Sequence, residues 1–398
     1  MAREIKCDVL VVGAGPVGSM AAKWAKLSGA GSVLIIEKRQ EIGSPVRCGE
    51  GISKRWLDSV GIKQDPKWIS KVIDGAQIFA PNGVYITIDE KMAGNEVGLV
   101  LERDQFDKAL ARDAIKAGAD IMLKTAATSV IKEGDKIVGV KAKSMGEPVE
   151  IRAKLTIAAD GYESQVGRWA GIDTTIKPND IVTCFQYRMT NIEGDERYTK
   201  FYIGSVAPGG YVWVFPKGGD TANVGIGVML SRCKGKGSAK MYLDKWIEKH
   251  PEINRGRPLD MVAGAVSVCQ PIDKTVMDGL MLVGDAARHI DPLTGGGISN
   301  GCKAAKVAGQ IAAEALQAND VSEKFLMKYD AGWRDIIENN MYRDWMAKEK
   351  LASLDDDTIN KLVSAIVDAK LESLTVHNIL KAIKDRYPEV IKEFEDML

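Results

Sequence analysis

The chain opens on an apolar run over 7–12, broken only by Asp8, that stops at Gly13. A short apolar run bounded by glycine predicts a strand covered on both faces. Residues 16–28, rich in Ala, keep helical spacing, and a second apolar run over 32–36 ends in Glu37. Strand, helix and strand in this order predict a βαβ unit at the N-terminus. Residues 76–80 and 84–88 alternate around Pro81-Asn82-Gly83, a hairpin signal. An amphipathic helix is expected over 103–117, a strand over 121–123, and a strand pair over 128–132 and 136–142 joined at Glu133-Gly134-Asp135.

From about 181 to 267 the pattern changes to period two, clearest at 184–189, 198–203, 210–216 and 221–229. This predicts an antiparallel sheet with one face covered. A buried-strand run returns at 281–283, and a long helix is expected over 298–317. The last stretch, 320–398, reads as helical, with Phe325, Tyr329, Trp333, Tyr342 and Trp345 among many charges. The expected fold is therefore mixed α/β. A Rossmann-like nucleotide-binding domain (1–75, 97–180 and 270–320) is interrupted by an antiparallel-sheet substrate domain (76–96 and 181–269). A helical C-terminal region (321–398) follows.

Composition narrows the classes. The 54 basic and 54 acidic residues balance, which argues against a nucleic-acid partner. No apolar run reaches the ~18 residues that a membrane span needs, and the N-terminus runs into a strand without a signal-peptide pattern. The six cysteines contain no CxxC pair and there are only three histidines, so neither a metal centre nor a disulfide framework is expected. A reduced, cytoplasmic setting fits that cysteine usage.

Three separated segments carry the chemistry. In Gly13-Ala14-Gly15-Pro16-Val17-Gly18, the first glycine permits the tight turn, the second lets backbone approach a pyrophosphate, and the third allows close helix–strand packing. The helix that follows points its amide end at the phosphates, and Glu37 is placed to accept from a ribose. The second segment is Asp160-Gly161, in Ala-Ala-Asp-Gly-Tyr-Glu-Ser-Gln-Val-Gly-Arg. The third is Gly284-Asp285, in Leu-Met-Leu-Val-Gly-Asp-Ala-Ala-Arg-His-Ile-Asp-Pro, with Gly295-Gly296-Gly297 behind it. Together they resemble the FAD-dependent hydroxylase and reductase superfamily typified by para-hydroxybenzoate hydroxylase. The resemblance implies FAD, with Asp285 on its ribityl chain, Arg103 near its phosphate and ribityl region, Asp160 in the second motif and Ala127 at the adenine. Gly297 and Ile298, opening the long helix, would approach the isoalloxazine.

Two further segments, Pro45-Val46-Arg47-Cys48-Gly49-Glu50-Gly51 and Tyr211-Val212-Trp213-Val214-Phe215-Pro216 with Gly225-Ile226-Gly227 downstream, resemble the archaeal geranylgeranyl reductases. On a strand, Tyr211, Trp213 and Phe215 share one face and would wall a site for a long apolar chain. The resemblance implies saturation of isoprenoid double bonds in digeranylgeranyl glycerophospholipid, an isoprenoid lipid substrate, with Gly49 and Gly51 approaching the flavin. Cys48, flanked by Arg47, is the candidate catalytic side chain, touching flavin or substrate and handling a proton. The electron donor is left open among NADPH, ferredoxin and a reduced deazaflavin. A lipid substrate also implies peripheral membrane contact. A halogenase or monooxygenase of the same fold is the rival reading, and a non-enzymatic FAD-binding escort protein is another.

Overall fold

The structure, a computed structural model, describes residues 3–89, 98–233, 237–369, 376–388 and 390. Parts of the predicted sheet segment (90–96 and 234–236), of the nucleotide-binding segment (1–2 and 97) and of the helical tail (370–375, 389 and 391–398) lie outside them.

The N-terminal run forms β1 (Arg3–Val12), the centre of an eight-stranded sheet. It pairs in parallel with β2 (Val33–Ile36) and β11 (Glu147–Ala158), with Val12 opposite both Ile36 and Ala158. β8 (Asp120–Met122) extends one side, and β18 (Leu280–Leu282) with β17 (Val276–Met277) the other. β9 (Thr125–Glu133) and β10 (Lys136–Ser144) form an antiparallel hairpin on β11. β2 and the end of β1 (9–12) read as unbroken apolar runs because both faces are covered. On one face lie α1 (Pro16–Leu27), α2 (Arg103–Lys116) and a long later helix, Ile298–Gln317, around Met20, Phe106 and Ala305. α1 and the long helix touch backbone to backbone at Gly309, where a Cβ would stand 2.6 Å from Ala21 O and Ala25 N.

The second sheet has seven strands in the order β16 (Arg257–Ser267), β12 (Ile181–Thr190), β15 (Thr221–Val228), β14 (Tyr211–Gly218), β13 (Tyr198–Tyr202), β5 (Gly75–Phe79) and β6 (Tyr85–Asp89). It is antiparallel, as the alternation predicts, except that β13 runs parallel to β5. That exception follows from topology: the 75–89 hairpin comes from a distant part of the chain and joins the sheet edge. One face packs Val212, Val214, Val224 and Ile226 on α3 (Ala239–Glu248). The other carries Tyr211, Trp213 and Phe215.

A third sheet, β3 (Gly51–Ser53), β7 (Gly98–Leu101) and β4 (Ile69–Ile73), has no clear periodicity in the sequence. It brings Ile73 and Val100 against Trp213 and Phe215, and so seats the 47–51 loop between the two large sheets. The tail aromatics Tyr329 and Trp333, on the helix Glu323–Trp333, are fully buried. Tyr329 Oη donates to Leu282 O at 2.6 Å, and Trp333 Nε1 to Thr275 Oγ1 at 3.1 Å. Both are core, whereas Tyr342 is exposed.

Candidate active site

The glycine turn between β1 and α1 does three separate jobs. Gly13 has φ +107°, a conformation open to glycine, and its Cα faces Ala159 at the end of β11. A Cβ on Gly18 would land on the Gly13 carbonyl, so the helix closes on the strand only with glycine there. A Cβ on Gly15 meets nothing within 4 Å, leaving open space over the start of α1. Ala14 N–H donates to Glu37 Oε2 at 2.9 Å and Arg39 N–H to Glu37 Oε1 at 2.9 Å, which fixes the acid beside the turn. Thr125 N–H donates to Glu37 O at 2.8 Å. β9 therefore starts beside this acid, with Ala127 on its first turn of pleat.

Asp160 and Asp285 arrive from the ends of β11 and β18. Asp160 Oδ2 accepts from Val166 N–H at 3.0 Å, while its Oδ1 is buried with no partner among the described residues. Burial raises its pKa. Burial likewise raises the pKa of Asp285, against the pull of Arg103 and Arg288. A Cβ on Gly297 would stand 2.8 Å from Asp285 Oδ1, so the glycine loop and the acid share one small space. Ile298 begins the long helix directly behind it. Two further buried residues brace this turn. Arg288 donates to Tyr162 O at 2.7 Å and to Thr174 O. His289 Nδ1 accepts from Gly284 N–H at 3.2 Å. Desolvation, helped by Arg334, lowers the His289 pKa to about 3.

The 47–51 loop lies on the aromatic face of the second sheet. A Cβ on Gly49 or Gly51 would stand 2.9 Å from the Phe215 ring. On that side the glycines make room for an aromatic. A Cβ on Gly225, paired with Trp213 across β14 and β15, would fall inside the indole. The Gly-x-Gly pattern downstream of the aromatics is thus the trough in which Trp213 lies. Phe201 meets Tyr211 and Phe215 edge-on, each at 5.3 Å between ring centres. Tyr211 Oη donates to Thr294 O, which ties the aromatic strand to the loop before Gly295. Burial pushes the Tyr211 pKa up, so this hydroxyl keeps its proton.

The charge beside Cys48 differs from the one its neighbour suggested. Arg47 is exposed, and its stem crosses Gly264 on β16. The guanidinium that reaches Cys48 is Arg103, itself held bidentately by Asp107 at 2.8 and 3.0 Å. Burial works against the charge on Arg103, but Asp107 and Cys48 outweigh it and the group stays cationic. Glu50 N–H donates to Cys48 Sγ at 3.2 Å.

Sequence reading missed the groups that hold this loop. Glu50 is 1% exposed and sits at φ +73°. Its Oε1 accepts from Arg103 N–H at 2.8 Å. Its Oε2 accepts from Arg188 at 3.0 Å, Lys217 at 3.0 Å and Asn223 at 2.6 Å. Glu102 balances the same two cations, 3.0 Å from Lys217 and 3.3 Å from Arg188. Burial opposes the charge on Glu102, but Lys217, Ser70 and Arg188 prevail and lower its pKa. Asn223 also donates to Gly49 O at 3.1 Å, and Gln186 donates to Cys48 O at 3.1 Å. A signal was present in the alternation. Gln186, Arg188 and Asn223 are polar at positions whose register puts them on the aromatic face.

These residues suit FAD. The open space at Gly15, the fixed carboxylate of Glu37, the unpartnered buried oxygen of Asp160 and the carboxylate of Asp285 line one path, from the start of α1 to the Gly295–Gly297 loop. The FAD dependent oxidoreductase family matches residues 8–207, and the geranylgeranyl reductase catalytic domain matches residues 180–266, the stretch that forms the aromatic sheet. The digeranylgeranylglycerophospholipid reductase of Picrophilus torridus is 48% identical over 397 residues, covering 99% of this chain and 100% of its own. The crystal structure of a geranylgeranyl bacteriochlorophyll reductase-like protein from Thermoplasma acidophilum is similar with a TM-score of 0.93 and 49% identity, covering 99% of this chain and 100% of that one. A p-nitrophenol 4-monooxygenase from Pseudomonas putida shares the fold, with a TM-score of 0.74 at 17% identity over 98% of this chain and 99% of its own. The cofactor of the chain is FAD, and the chain belongs to the geranylgeranyl reductase family of FAD-dependent oxidoreductases.

Proposed function

We propose that this enzyme saturates the C=C bonds of the geranylgeranyl chains of digeranylgeranylglycerophospholipid, an archaeal ether lipid. The observation that carries this reading is the 47–51 loop seated on the Tyr211–Trp213–Phe215 face. Full-length similarity to reductases of that name supports it. In this reading Gly13, Gly15 and Gly18 hold the FAD phosphates, Glu37 its ribose and Ala127 its adenine. Asp160, Asp285 and Arg103 hold its phosphate and ribityl region. Gly297, Ile298, Cys48, Gly49 and Gly51 border the isoalloxazine. The aromatic face walls the isoprenoid chain.

An isolated alkene has no carbonyl to take up charge, so it is a poor hydride acceptor until it is protonated. Cys48 supplies the proton: its S–H bond breaks as a C–H bond forms at one alkene carbon. The neighbouring carbon becomes cationic opposite the faces of Trp213 and Tyr211, which stabilise it. Reduced FAD, when bound, supplies the hydride that completes that carbon. The thiolate left behind is stabilised by Arg103 and by Glu50 N–H, and takes a proton from solvent for the next turnover.

Mass spectrometry of the lipid after incubation with reduced enzyme tests the activity. A gain of two hydrogens per double bond is expected, and a gain of one oxygen overturns the reading in favour of a monooxygenase. Cys48→Ala is expected to lower turnover by about 100-fold or more with FAD retained, and full turnover excludes the thiol as the acid. Anaerobic bleaching of the flavin with NADPH, ferredoxin or reduced deazaflavin identifies the donor. Peripheral membrane contact on the cytoplasmic side belongs to the same reading. No helix among the described residues is long and apolar enough to cross a membrane, and co-flotation with archaeal lipid vesicles tests the contact.

A further inference from the structure

Gln186 stands between the aromatic wall and the thiol. It is 5% exposed on β12, and both ends of its amide are used. Its Oε1 accepts from Trp213 Nε1 at 2.8 Å, and its Nε2 donates to Cys48 O at 3.1 Å. The orientation of the amide is forced, because an indole N–H only donates and a peptide carbonyl only accepts. A flipped amide would lose both bonds. A glutamate in the same place would keep the indole and lose the carbonyl. Asn223 repeats the contact one residue along, donating to Gly49 O at 3.1 Å. The backbone of the 48–49 segment is thus hung from two amides on the substrate-facing sheet rather than from the nucleotide-binding sheet.

We propose that Gln186 is a positioning residue that sets the Cys48 thiol against Trp213. Trp213 has its indole confined in the trough left by Gly225. Gln186 carries that fixed position over to the Cys48 carbonyl, and Glu50 N–H then meets Sγ at 3.2 Å. The acid is therefore placed by one side chain against a wall that is already fixed. This coupling rests on the reading of Cys48 as the proton donor, and on that of Trp213 as wall.

The test uses the full FAD-loaded chain with Gln186→Met, which keeps length and volume but removes both bonds. Turnover is expected to fall about tenfold, the scale of one or two lost buried hydrogen bonds, with KM and FAD content unchanged. Peptide-resolved alkylation near neutral pH is expected to slow at Cys48 about threefold or more, because a loosened loop no longer holds Sγ against the Glu50 N–H donor. Cys233, remote from the loop, serves as the internal reference. In a Cys48→Ala background, Gln186→Met is expected to cost nothing further, since a residue acting through Cys48 has nothing left to position. An unchanged or faster Cys48 alkylation, or losses that add in the double variant, overturns the proposal. Full turnover in Cys48→Ala alone overturns the proton-donor reading instead, while slowed alkylation in Gln186→Met would still show the positioning. Should Gln186→Met lose its tertiary structure, Trp213→Phe breaks the same chain at its other end. Slower Cys48 alkylation is expected there too, and an unchanged rate overturns the proposal.

Discussion

The nucleotide cradle and the clamp on the 47–51 loop lie close together but are built on opposite plans. The cradle is made of backbone. Its glycines contribute by having no side chain, and its one anchoring acid, Glu37, bonds main-chain amides. The clamp is made of side chains that bring charge into the interior. Glu50, Glu102, Lys217 and Arg188 balance one another there, and Asn223 and Gln186 hold the loop carbonyls. A backbone cradle tolerates change around it and fails at a few positions. The clamp fails where a partner of its buried pair, Glu50 and Lys217, is withdrawn, because the charge left behind has no solvent.

That contrast can be broken most sharply at Lys217. Lys217→Met removes one of the two cations on Glu50 and is expected to cost about 3–5 kcal/mol of stability, read from chemical denaturation at neutral pH. A loss under 1 kcal/mol would mean the clamp is not an interdependent unit. A smaller effect is expected from Gly225→Ala, which pushes a Cβ into the Trp213 indole at a cost of about 1–3 kcal/mol. Thermal unfolding measures it, and FAD content is expected to stay unchanged because the cradle is built elsewhere. The effect that is smallest at neutral pH concerns His289, on the cradle side. Its folded pKa is about 3, below the ordinary 6.5, so the folded state resists protonation there. The stability it contributes is fully present above pH 6.5 and is lost as pH falls from 6.5 toward about 3. His289→Phe is expected to remove a slope of up to about 1.4 kcal/mol per pH unit from that window, seen as a shallower fall of unfolding free energy with acid.

The same contrast decides what the sequence discloses. The cradle is local. Gly13, Gly15, Gly18 and Glu37 lie on one βαβ unit, and the backbone geometry of the turn restricts Gly13 and Gly18 to glycine. The aromatic face was legible too, since Tyr211, Trp213 and Phe215 sit on alternate positions of one strand. The clamp was not legible, because its pairs are 138 residues apart for Gln186 and Cys48, 167 for Lys217 and Glu50, and 174 for Asn223 and Gly49. Nothing in the local pattern says which distant strand will face a loop. Arg47 shows the cost of reading neighbours as contacts. It adjoins Cys48 along the chain, yet the cation at the thiol comes from the start of α2. The third sheet escaped for a related reason. Its three strands are short, and they pair only because β7 returns between β3 and β4.

The indole of Trp213 occupying the space over Gly225 also bears on how such a site changes over generations. The bulk of one position is set against the emptiness of its cross-strand partner, so neither residue is free to drift alone. A larger residue at Gly225 collides before Trp213 has shrunk, and a smaller one at Trp213 opens a hole and strands the Gln186 carbonyl. Lineages that reshape this wall for a different chain must therefore change the two positions together, or pass through a weakened ancestor.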